Sequence, residues 1–94
     1  MTQTNRTVVS ALLDAIDGFV AGELDIPDIQ ARLQSGLGLL ERGLGDVSSV
    51  IRFAAADLEE IQFTMVLDEQ RPAVVFRLNS LRGQLAAVLV DAEQ

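Results

Sequence analysis

The side chains able to do chemistry in this sequence are carboxylates, hydroxyls and guanidinium groups. Acids cluster at Asp57, Glu59 and Glu60, and again at Asp68 and Glu69. Paired carboxylates can trade protons as acid and base, or hold a hard cation through oxygen. On a helix, however, Asp57 and Glu60 lie three apart on one side while Glu59 points elsewhere. No Glu motif repeats, and no calcium loop sets alternating acids around a Gly. A solvated helix face accounts for these acids. Arg71, Arg77 and Arg82 could grip a carboxylate or phosphate with paired bonds, but Asp68, Glu69 and the surrounding acid are expected to neutralise them. Thr64 and Ser80 are the nearest hydroxyls, with carboxylate as the only base beside them.

What is missing narrows the chemistry further. The chain has no His, Cys, Trp or Tyr, and all seven basic residues are Arg, so there is no Lys. Imidazole bases, thiolate nucleophiles, Schiff bases, disulfides and His–Cys metal sites are excluded by composition. The expectation is a protein that is not an enzyme and carries no cofactor. Fourteen acids against seven Arg give a net charge of -7. A phosphate backbone or an anionic membrane surface would be repelled, so neither nucleic acid nor membrane is expected as a partner. Such acidity either keeps a small protein soluble or complements a basic protein partner.

Any site must be carried by one core, because 94 residues make a single domain over residues 1–94 with a folded surface of roughly 5,300 Å². Apolar residues make up 49% of the chain, too many for a disordered acidic tail. Asp14 and Asp17 interrupt the apolar run from Val8 to Val20, so no membrane span is expected. The opening residues Met1–Arg6 lack the apolar core of a signal peptide. A cytoplasmic location is the expectation.

Helical periodicity organises most of the chain. Val9, Leu12, Leu13, Ile16, Phe19 and Val20 form one stripe, with Thr4 or Asn5 as a possible cap and Gly22 as a left-handed stop. Asp25 is suited to cap a second helix, with Pro27 in its first turn, Asp28 at the third position, and a Leu24–Ile29 hydrophobic staple. That helix runs through Ile29, Leu33, Leu37, Leu40 and Leu44, weakened by Gly36 and Gly38, and the glycines up to Gly45 leave its end open. Asp46 opens a third helix with the seam Val47, Ile51, Ala54, Leu58, Ile61 and Met65. After a polar stretch at 68–72 the pattern resumes as Val74, Leu78, Leu81, Leu85, Val88 and Ala92. Pro72 fits the first turn of a fourth helix or kinks a single long one.

The predicted fold is therefore all-α, a small antiparallel bundle of three to four helices. An α+β alternative remains: Ile61, Phe63, Met65 and Leu67, then Val74, Phe76 and Leu78, also alternate as a β-hairpin over about residues 61–78 would.

A second apolar face is the most informative oddity. Opposite the third seam lie Phe53, Ala56, Phe63 and Leu67, mixed with Arg52 and Glu60; opposite the fourth lie Phe76, Gly83, Ala87 and Val90. A small bundle buries one stripe per helix, so this face belongs to the core, to a second copy, or to a foreign protein. The reading predicts a non-enzymatic protein-interaction module that forms a homodimer. Its candidate surface is Phe53, Glu59, Glu60, Phe63, Leu67, Asp68, Glu69 and Phe76.

The segment Phe19-Val20-Ala21-Gly22-Glu23-Leu24-Asp25-Ile26-Pro27-Asp28-Ile29 resembles the first helical hairpin of small bacterial bundles of the colicin D-type immunity group. The Lys-free, Arg- and Ala-leaning composition resembles that of high-GC actinobacterial proteins. The first resemblance implies an acidic inhibitor of a basic toxin nuclease, although the chain has no long acidic run.

Overall fold

The apolar stripes become four helices: α1 (Gln3–Val20), α2 (Ile26–Leu39), α3 (Gly45–Thr64) and α4 (Leu67–Ala92). The computed structural model describes residues 3–40 and 45–92. Each helix packs on its neighbours in the chain, and α4 closes against α1. Short connections make successive helices antiparallel around one shared core. The molecule measures 41 × 22 × 17 Å. Its long dimension is set by the 26 residues of α4, which span about 39 Å at the helical rise.

Among the described residues there is no strand, so the hairpin alternative at 61–78 gives way to helix, turn and helix. The physical reason is which residues each scheme buries. Val74 and Leu78 are fully buried by the helical stripe, whereas Phe63 and Phe76, on which a hairpin would rely, face outward. Gln70 supports the break by donating Nε2 to the carbonyls of Met65 at 3.0 Å and Gln62 at 3.3 Å, two acceptors a helix end leaves open.

The break itself lies earlier than the polar stretch suggests. Only Met65 and Val66 separate α3 from α4. Asp68 and Glu69 form the acidic first turn of α4, favoured by the positive helix end. Pro72 sits inside that helix with its side chain exposed.

The core contains most of the expected seam: Val9, Leu12, Ile16, Phe19, Ile29, Leu33, Val47, Ile51, Ala54, Leu58, Val74, Leu78, Leu81 and Leu85. Ile61, Leu37, Leu40 and Val88 are half-buried against it, while Val20 and Met65 are exposed. Val8, Ala15 and Ala55 join the core as additions to the expected stripes. Asn5 does not cap α1, because the helix already begins at Gln3; it is a buried polar member of the interior at 2% exposure. The expected run of α2 through Leu40 stops at Leu39, with Leu40 as an extended C-cap; Gly43 and Leu44 lie outside the described residues, as do the side chains of Asp46 and Ala92.

The α1–α2 turn follows its sequence signals closely. Gly22 adopts φ +87°, the left-handed region that favours glycine. Gly22 N–H donates to Phe19 O at 3.0 Å and Glu23 N–H to Gly18 O at 2.8 Å, the paired bonds of a Schellman motif. Asp28 N–H then donates to Asp25 Oδ1 at 3.0 Å, and Asp25 N–H to Asp28 Oδ2 at 3.1 Å, forming a reciprocal capping box. Gly36 serves packing: an added Cβ would lie 3.0 Å from Leu12 Cδ1, so its small size lets α2 approach α1.

One helix departs from the expectation about membranes. The segment Leu67–Asp91 of α4 is long and apolar enough to cross a membrane by length and composition. Its apolar character has two sources in the bundle, the buried stripe Val74, Leu78, Leu81 and Leu85 on one side and the exposed Phe76 and Val90 on the other.

Candidate interaction surface

Three of the four phenylalanines stand on the surface. Phe19 is fully buried, but Phe53, Phe63 and Phe76 are 66%, 85% and 81% exposed, and Leu67 is 79% exposed. The core claims the opposite side of each helix, so α3 and α4 are left with apolar residues pointing to water. Glu59, Glu60, Asp68 and Glu69 are exposed beside them.

The fold groups these residues in a way that the linear face did not anticipate. Phe76 and Glu60 line a groove of about 400 Å³ between α3 and α4, together with Ile61, Thr64, Met65 and Ala73. Phe63 and Glu59 line another, of about 490 Å³, between α2 and α3, with Pro27, Gln30 and Ala31. The ridge of α3 therefore stands between two grooves, each with one phenylalanine and one glutamate. Leu67 leaves this ridge: it opens α4, next to Asp68 and Glu69. The contribution of α2 was absent from the candidate surface, since Pro27, Gln30 and Ala31 carry no apolar signal beyond their helix register. Gln30 donates Nε2 to Ala55 O at 3.1 Å, and its Oε1 is buried without a partner among the described residues.

Electrostatics separates acids that are engaged from acids that are free. Arg77 Nε donates to Asp57 Oδ2 at 2.6 Å, tying α4 to α3. Arg82 donates Nε to Asp17 Oδ1 at 2.7 Å and Nη2 to Asp17 Oδ2 at 3.3 Å. The hydrogen bond from Arg82 holds the Asp17 carboxyl below its ordinary pKa, opposed by desolvation and aided by the charge of the guanidinium. Arg71 does not pair with Asp68 or Glu69 as expected. Its guanidinium donates to the carbonyl of Phe19 and stacks 4.2 Å from the Phe19 ring centroid. The Arg trio is thus spent on holding helices together. Glu59, Glu60, Asp68 and Glu69 have no ion-pair partner among the described residues, and no three acids there converge as a cation site would require.

Compared with protein-family models, curated proteins and solved structures, the chain has no match in any of the three.

Proposed function

We propose that this chain is a non-enzymatic protein-interaction module that self-associates through the outer side of α3 and its flanking grooves. The observation that carries the reading is the exposure of Phe53, Phe63 and Phe76 on one region of a chain with only four aromatic residues. Aromatic side chains bury large areas and dominate contact energetics, so leaving three in water is costly unless a partner covers them. A second copy is the simplest partner, because a two-fold contact needs a surface that complements only itself. The absence of imidazole, thiol and amine side chains supports binding over catalysis.

Sedimentation across a concentration series tests the proposal. The expected species has twice the 10.1 kDa chain mass and grows in with concentration. A monomer up to the highest soluble concentration would overturn it.

The free acids favour a second reading, in which the same region meets a basic protein. Sedimentation of the purified chain separates the two, since self-association doubles its mass with no other protein present, whereas a contact with a basic protein leaves the chain alone monomeric.

A further inference from the structure

The outer side of α3 is complementary to itself in one orientation only, and we infer that two copies pack α3 against α3 antiparallel with the two-fold axis at Ala56. This rests on the self-association proposed above and assigns its surface and register. The outward positions of α3 are Arg52, Phe53, Ala56, Glu59, Glu60 and Phe63, all exposed, with the half-buried Ser49 at their edge. Measured from Ala56 they fall at three, four and seven residues on either side, the spacing that returns to one side of a helix.

An antiparallel two-fold contact brings together residues equidistant from its centre. Arg52 then meets Glu60 of the second copy, and Glu60 meets Arg52, so one complementary pair is made twice. Phe63 lies over the small Ser49, and Phe53 lies along the stem of Glu59. Ala56 meets its own copy, and its single methyl group lets the two backbones come close. Parallel packing would instead set Arg52 on Arg52 and Glu60 on Glu60, which like charges oppose. Both Arg52 and Glu60 are available for this role: neither has an ion-pair partner among the described residues, whereas Arg71, Arg77 and Arg82 are engaged within the chain.

The strip is modest. The 20 residues of α3 give a ridge about 30 Å long and about 10–12 Å wide, less than the ~800 Å² that each partner contributes to a standard interface. The two grooves beside the ridge widen it, and the dimer is expected to be weak and in rapid exchange.

The chain has no cysteine, so a single introduced thiol reports without background. Ala56→Cys in the full chain should form a disulfide-linked dimer under mild oxidation, while Ser80→Cys on α4 should not. Arg52→Glu alone should raise the dimer Kd about ten-fold or more, which corresponds to at least about 1.4 kcal/mol. Adding Glu60→Arg to it should return the Kd to within about three-fold of the wild-type value, because the exchanged pair is restored. If the wild-type chain sediments as a dimer but Ala56→Cys fails to cross-link and the exchange fails to rescue, this register is wrong and self-association stands. If the chain is monomeric throughout, both are wrong.

Discussion

Replacing Arg71 should show how much of this bundle depends on one side chain reaching across it. The guanidinium, half-buried, donates to Phe19 O, the carbonyl that also accepts from Gly22 N–H in the α1–α2 turn. It also lies over the Phe19 ring at 4.2 Å, while its two contacts to Leu24 O, at 3.5 Å, are too long to contribute much. A hydrogen bond from a charged donor is worth about 1.5–3 kcal/mol, and a partly desolvated cation–π contact about 1 kcal/mol. These two effects share one group and do not add fully. Partial exposure lowers the total, and Phe19 O keeps its bond from Gly22 after the change.

Arg71→Met, which retains the stem, should therefore cost about 2 kcal/mol. With a urea dependence of about 1–3 kcal/mol per molar for a small domain, the unfolding midpoint should fall by about 1 M. Arg71→Lys should lie between the two, because it keeps the charge but loses the planar stack. Paired with Phe19→Leu, the Met variant should show a coupling of about 0.5–1 kcal/mol. Amide exchange should speed up first in the α1–α2 turn. A Met variant within about 0.5 kcal/mol of wild type, the range of an ordinary surface change, would refute the reasoning.

Other positions test the packing and the electrostatics. Leu58→Ala, at a fully buried site, should cost about 2–5 kcal/mol in chemical denaturation. Gly22→Ala should destabilise by about 1 kcal/mol, because φ +87° strains any L side chain, whereas Gly83→Ala, in open space within α4, should stabilise by about 0.5–1 kcal/mol. Gly36→Ala should be net destabilising in the same assay: the gain in helix propensity is outweighed by crowding of the buried Leu12, whose three nearest atoms lie 3.0–3.3 Å from the new Cβ. For Asp17, whose folded pKa is depressed by Arg82, the contribution to stability is present above the unfolded aspartate value near ~3.9 and is lost as pH falls through the folded value. An acid titration of wild type and Asp17→Asn should therefore coincide more closely below that pH, with little change in their difference between neutrality and about pH 5. Because both partners are exposed, added salt should shrink that difference.

Much of this fold was legible in the sequence wherever a local rule decided the outcome. The seam through Ile51, Leu58, Leu78, Leu81 and Leu85 repeats at helical spacing, and every one of these residues is buried. Gly22, Asp25 and Asp28 act through bonds to residues a few positions away, so their roles follow from type and spacing alone. Long-range choices were not legible. Arg71 reaches a backbone carbonyl that any residue at position 19 would supply, which leaves no signature in the sequence. The α3–α4 break falls at Met65–Val66, two apolar residues, because the polar run after it forms the first turns of α4, with Asp68 and Glu69 exposed and Gln70 and Arg71 bonded to backbone carbonyls. Leu67 was consequently placed on the face of the wrong helix. Phe53, Phe63 and Phe76 were visible as parts of a second apolar face, but the sequence also allowed that face to be core; their exposure, and the division of the face into two grooves, required the positions of α2 and α4.

The central claim, that the outer side of α3 is where this chain meets another copy, is tested most directly by following backbone amide resonances through a dilution series of the full chain. The account predicts concentration-dependent shifts at Arg52, Phe53, Ala56, Glu60 and Phe63, with smaller shifts in the flanking grooves at Ala31 and Phe76 and none along the exposed side of α1. Spectra that do not change with concentration, or changes confined to other surfaces, would contradict it.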